Sequence, residues 1–133
     1  MLEIINIGSQ TVSASGTVSF TSASIIDGAG RIVLSGGNSI QIKTPGKYKV
    51  DGIFTVYNST AAAVTVNLQL YANGTAVTGT GITVTIPETG YSEVVIDKVI
   101  PVIAAVSGNV ATLTFVSSTG ATITNALVDV VKI

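Results

Sequence analysis

The run Lys47-Tyr48-Lys49-Val50-Asp51-Gly52-Ile53-Phe54-Thr55-Val56-Tyr57 alternates with a period of two. Tyr48, Val50, Phe54 and Val56 share one side. Lys47, Lys49, Asp51 and Thr55 share the other. Successive side chains of an extended chain point to opposite faces, so this is a strand with one dry and one wet face. Working outward, the pattern repeats. Val64, Val66, Leu68 and Leu70 alternate with Thr65, Asn67, Gln69 and Tyr71; Ile82, Val84 and Ile86 with Thr83 and Thr85; Leu113 and Phe115 with Thr112 and Thr114. No 3.6-residue period persists anywhere, and Thr60 to Val64, with three Ala, is too short to nucleate a helix alone. Turn signals recur about every 8 to 14 residues, among them Pro45-Gly46, Asn58-Ser59, Asn73-Gly74, Gly79 to Gly81, Ser107-Gly108-Asn109 and Ser118 to Gly120.

Composition points the same way. Val, Ile and Thr fill 53 of the 133 positions against 6 Leu, a balance that favours strands over a helical bundle. With no linker and no repeat, residues 1–133 read as a single all-β domain. There is no His, no Cys and no Trp. Disulfides, thiolate nucleophiles, Cys/His zinc sites and His general bases are therefore excluded within one chain. Six basic and seven acidic residues leave a net charge of −1, so no basic footprint for nucleic acid exists. Mean hydropathy is +0.65 with 10% charged residues, where about 25% is usual. The longest apolar-looking stretch, Val94 to Val106, contains Asp97, Lys98 and Pro101 and is no spanning helix. Four Tyr and three Phe are few for the aromatic girdles of a membrane barrel. The apolar surplus is expected to be hidden against copies of the same chain, without membrane insertion. Met1-Leu2-Glu3-Ile4-Ile5-Asn6 lacks the pattern of a secretory leader, so synthesis in the cytoplasm is expected.

The last run differs from the others. An unbroken period of two across Ala121 to Ile133 sets Ile123, Leu127, Val131 and Ile133 on one face with Asn125 and Asp129. Ala126, Val128 and Val130 fall on the other, and both faces are largely apolar. Such a strand is either central or covered by a neighbouring subunit.

Thr44-Pro45-Gly46-Lys47-Tyr48-Lys49-Val50 leads into a long strand. Asn67-Leu68-Gln69-Leu70-Tyr71-Ala72-Asn73-Gly74 follows, then Val77 and Gly79. This order resembles the C1q/TNF-like jelly roll, in particular its bacterial and phage members such as small virion fibre and decoration proteins. The strong part of the match covers residues 40–80. The resemblance implies an antiparallel two-sheet jelly-roll sandwich of about 8–10 strands and a homotrimer with the C-terminal strand near its three-fold axis. The trimer interface would then hold Ile123, Leu127, Val128, Val130, Val131 and Ile133. The chain has no Gly-X-Y stretch and no acidic loop cluster of a calcium-dependent member, which favours a stand-alone virion protein.

No constellation supports catalysis. Glu93 and Asp97 on one strand would stand about 13 Å apart, beyond the widest glycosidase pair of about 9.5 Å. Gly28-Ala29-Gly30 and Gly79-Thr80-Gly81 open no helix and are turns, not phosphate loops. Asp27, Asn38, Asp51, Asn58, Asn73 and Asn109 have no calcium spacing, so no metal or cofactor is expected. Tyr71, with Gln69 and Asn67 on one polar face, forms a candidate surface-contact patch that could stack on a sugar ring. The expected function is a non-enzymatic structural or binding module of a phage particle: head fibre, decoration or receptor contact. Its partners would be itself, capsid or fibre proteins, or a host-surface glycan. The alternative is a carbohydrate-binding or adhesin module on a bacterial cell surface.

Overall fold

A computed structural model describes residues 1–102 and 111–133; the Ser107-Gly108-Asn109 turn and Asn109 lie outside the described residues. Twelve strands and no helix occur among those described. In chain order they are β1 (Leu2–Val12), β2 (Gly16–Thr17), β3 (Ser22–Ile25), β4 (Ile32–Ser35), β5 (Ser39–Ile42) and β6 (Gly46–Asn58). Then come β7 (Val64–Ala72), β8 (Thr75–Ala76), β9 (Ile82–Ile86), β10 (Gly90–Val102), β11 (Ala111–Ser117) and β12 (Ala121–Lys132). The count exceeds the expected range because β2 and β8 are two-residue pieces flanking tight turns.

All strand pairs are antiparallel. One sheet has five strands in the order β10-β6-β12-β1-β3. The other has seven, β4-β5-β11-β7-β8 with β2 also on β11 and β9 also on β7. Chain neighbours thus sit mostly in different sheets, which is the jelly-roll arrangement. The longest ladder joins β6 to β10 over 13 pairs, from Gly90↔Asn58 to Val102↔Gly46.

The inward sets meet between the sheets. Tyr48, Val50, Phe54 and Val56 of β6, Val66, Leu68 and Leu70 of β7, and Leu113 and Phe115 of β11 are all buried, as their alternation requires. On β9 only Ile86 is fully buried, with Ile82 and Val84 at the margin. Phe54 packs on Phe115 with ring centres 4.9 Å apart, and Phe20 meets Phe115 edge-on at 6.3 Å. Such offset contacts add about 0.5–1.5 kcal/mol beyond area burial. Asn73 (φ 51°) and Gly74 (φ 79°) form the two-residue turn between β7 and β8. Both central residues need positive φ in that turn type, which is why Asn-Gly is favoured there.

The reading of the last strand needs one correction. Register against β6 shifts between Ile123 and Asn125, where Val56 and Thr55 are successive partners. Thr124 is therefore an extra residue, and a bulge of one residue exchanges the faces beyond it. Ile123 consequently points inward with Ala126, Val128 and Val130, all of them buried. Leu127, Asp129 and Val131 point outward.

Candidate functional site: the outer face of the five-stranded sheet

Both strands that flank β12 carry apolar side chains on their outer face. The registers align these into rows across the sheet. Val95, Ile53, Leu127 and Ile5 stand side by side on β10, β6, β12 and β1. Four residues along, Val99, Lys49 and Val131 form a second row. In the other direction Glu93, Thr55, Asn125 and Ile7 form a third. Beyond it the rings of Tyr57 and Tyr91 lie 4.5 Å apart. Ile7, Ile53, Val95, Val99 and Tyr91 are all exposed, Ile7 to 77% and Val95 to 53%. Neighbouring strands are about 4.8 Å apart, so this is one continuous surface and not scattered single residues, which would need no explanation.

Between the first two rows runs an acidic one. Asp97, Asp51, Asp129 and Glu3 are direct cross-strand neighbours on β10, β6, β12 and β1. Lys49 Nζ lies 3.7 Å from Asp51 Oδ2, and Ser24 Oγ donates to Glu3 Oε1 at 2.7 Å. Burial, then the neighbouring Glu3 carboxylate and the charge of Asp51, push Asp129 up to about 6. Burial and then the neighbouring Asp97 raise Asp51, with Lys49 opposing. Glu3 is lowered, first by the Ser24 hydroxyl and then by Asp129.

The six residues expected at an interface divide equally. Leu127, Val131 and Ile133 lie outward, with Ile133 exposed. Ile123, Val128 and Val130 are core residues between the sheets and are unavailable to a partner. Reading β12 alone missed Ile53, Val95, Val99, Ile5 and Ile7. The signal that could have found them is the apolar residue at an outward position within each alternating run, Ile53 in the quoted stretch first of all.

Asn67, Gln69 and Tyr71 do share the outer face of β7 in the other sheet. Two of the three are engaged within the chain. Asn67 Nδ2 donates to Thr83 Oγ1 at 2.8 Å, and its Oδ1 accepts from Ser118 Oγ at 3.1 Å. Gln69 Nε2 donates to the Val77 carbonyl at 3.4 Å. Tyr71 is half-buried between Thr114 and Ala76. A cleft of about 320 Å³ lies at one end of the sandwich, between Thr11, Tyr57, Thr60, Val64 and Thr122. Asn58 in its wall donates to the carbonyls of Ala62, Ile86 and Pro87 and accepts from Thr60, so its polar capacity is spent on closing the chain.

Glu93 and Asp97 sit two rows apart on β10, and no group of three or more acidic side chains among the described residues has metal-site geometry. Asp27 is buried and accepts from the Arg31 and Ile32 amides at 2.7 and 3.3 Å and from the Arg31 guanidinium at 3.4 Å. The Met1 ammonium adds a contact of 3.2 Å. It is a structural clamp on the segment between β3 and β4.

The two sheets, their strand order and the long β6–β10 ladder define the class: this is a C1q/TNF-like jelly roll. Among solved structures, the Eiger TNF of S. frugiperda superposes with a TM-score of 0.69 at 13% identity, over 99% of this chain and 92% of that one. The globular domain of zebrafish complement 1qA gives 0.62 at 9% identity, over 99% and 95%. The PRD1 vertex protein gives 0.53 at 14% identity, over 99% and 95%. At these identities the likeness is one of fold. No protein-family model matches the sequence, and no curated protein matches it. Among the described residues no helix is long and apolar enough to cross a membrane.

Proposed function

We propose that this chain is a non-enzymatic structural or binding module that works as a homotrimer on a phage particle, as a decoration, head-fibre or receptor-contacting protein. The carrying observation is the aligned apolar surface on the outer face of the five-stranded sheet. Each Val, Ile or Leu fully covered there is worth about 1.5–3 kcal/mol, and the complete row of Val95, Ile53, Leu127 and Ile5 with Val99, Val131 and Ile7 around it is a strong drive to associate. A second copy is the natural cover, because the family resemblance implies a trimer built on this side of the fold. Leu127, Val131 and Ile133 of the expected interface belong to this surface, joined by Ile53, Val95 and Ile5.

The virion role is supported by the likeness of fold to a vertex protein of PRD1. Three weak contacts presented together also gain avidity on a repetitive particle or host surface. The glycan-binding alternative has less to stand on, since Asn67 and Gln69 are already bonded within the chain and only Tyr71 remains to stack on a sugar.

Light scattering after gel filtration tests the assembly. The expected mass is three times the 13.4 kDa chain, and Leu127→Asp is expected to reduce it to that of one chain with the β spectrum retained. A wild-type monomer would overturn the trimer. Antibody labelling of purified particles then tests the location; particles without label would remove the virion role.

A further inference from the structure

Four of the seven acidic residues of the chain occupy a single row of a single sheet face. Like charges directly opposite one another destabilise a sheet, and here three such oppositions follow in succession: Asp97 on Asp51, Asp51 on Asp129, Asp129 on Glu3. The Val95, Ile53, Leu127 and Ile5 row lies on one side and Val99 and Val131, with Lys49 between them, on the other, so anything that covers Leu127 and Val131 also covers Asp129 between them.

The groups around Asp129 are few. From β1 it faces Glu3, which is itself held by Ser24 of β3. From β6 it faces Asp51, with Lys49 one row on and bonded to Asp51. From β10, Asp97 stands behind Asp51. Leu127 and Val131 flank it on its own strand. Asp129 Oδ1 is sealed from solvent and has no hydrogen-bond donor. Carboxylates can only accept, so a row of them side by side satisfies such an oxygen only when one member carries a proton.

We infer that this face is a proton-gated interface: association of copies through it takes up protons at Asp129 and Asp51 in the middle of the acidic row, so it is favoured in mild acid and opposed as these two ionise. The inference rests on the self-association proposed above. Asp129, held up at about 6, has the matching direction. A carboxyl raised above its usual value favours the state that holds its proton; that advantage is complete below the ordinary carboxylate range and gone above the raised value. Partner side chains remove more water from the row and push it further the same way. One proton taken up per protomer would make the trimer association constant fall about a thousandfold per pH unit above that point.

Sedimentation velocity on a dilution series of the full chain, at about pH 5 and about pH 8, tests this linkage. The wild type is expected to remain trimeric to much lower concentration in acid. Asp129→Asn, which keeps the shape and cannot ionise, is expected to hold the trimer at the higher pH and flatten the dependence. Asp51→Asn provides a second neutralised row should Asp129→Asn fold poorly. A trimer that dissociates at the same concentration at both pH values would overturn the proton gate and leave the self-association standing. A monomer at both would remove both. Assembly at the higher pH that requires calcium and ignores acid would overturn the gate in favour of a cation.

Discussion

Gly52 shows how one residue fixes the centre of the sandwich. It faces inward from β6, and a Cβ there would come within 2.8 Å of the Phe54 ring and 3.3 Å of Phe115. The rings reach their 4.9 Å contact because this position carries no side chain. Gly52→Val is expected to destabilise by about 1–3 kcal/mol through overpacking, and Phe115→Ala by about 3–5 kcal/mol through the cavity it leaves. Urea unfolding of both variants measures this; unchanged midpoints would place the rings outside the core. Asp27 carries a different kind of stability. Burial opposes its charge, but the Arg31 amide, the chain-terminal ammonium, the Arg31 guanidinium and the Ile32 amide outweigh that and hold its carboxyl at about 2 against an ordinary 3.8. A depressed carboxyl stabilises the folded chain above its unfolded value, and the contribution is lost as pH falls from 3.8 toward 2. Asp27→Asn should lower the melting temperature at neutral pH and narrow the gap to wild type in that acid window.

Elements built on an unbroken alternation are legible in the sequence. β6, β7 and β11 have the faces that their sequences state, because a half-buried strand leaves a period-two record in its side chains. The Asn73-Gly74 turn was equally legible, since only a few residues accept positive φ twice in succession. The faces of β12 were not. Its bulge at Thr124 leaves no mark in a run where both faces are apolar, so strict alternation groups Ile123 with Leu127 and Val131 when the register turns it inward, away from them. The cross-strand rows were illegible for another reason: they depend on pairing between strands far apart in sequence, and no single strand contains them. Two predictions belong at this scale. Deleting Thr124 would restore strict alternation with Ile123 still inward on Val56 and Leu127 still outward on Ile53, so a small loss of stability and an unchanged near-ultraviolet spectrum are expected. Gly74→Ala, with φ of 79°, should cost about 1 kcal/mol or more in the same unfolding assay while leaving the far-ultraviolet spectrum intact.

At the scale of the whole molecule the two outer faces are chemically different, although the sheets behind them are built alike. The seven-stranded sheet turns Thr65, Asn67, Gln69, Thr112 and Thr114 outward, and of these Asn67 donates to the Thr83 hydroxyl and Gln69 to the Val77 carbonyl. The five-stranded sheet turns Ile5, Ile53, Val95, Leu127 and Val131 outward with the acidic row among them. A hydroxyl-rich face holds its water at little cost, while an Ile and Val face gains by releasing it. Association should therefore have a side. Ile53→Lys places a charge in the first apolar row, between Val95 and Leu127, and should shift the mass in solution to that of one chain. Thr65→Lys places the same charge on the opposite sheet, at an exposed position, and should leave the mass unchanged. Both substitutions lie on solvent-facing strand positions of the single chain, so neither should disturb the core, and near-wild-type melting of the monomeric form checks that. If Thr65→Lys dissociated the assembly and Ile53→Lys did not, copies would meet through the seven-stranded sheet, and the apolar rows would have to be covered by a different protein.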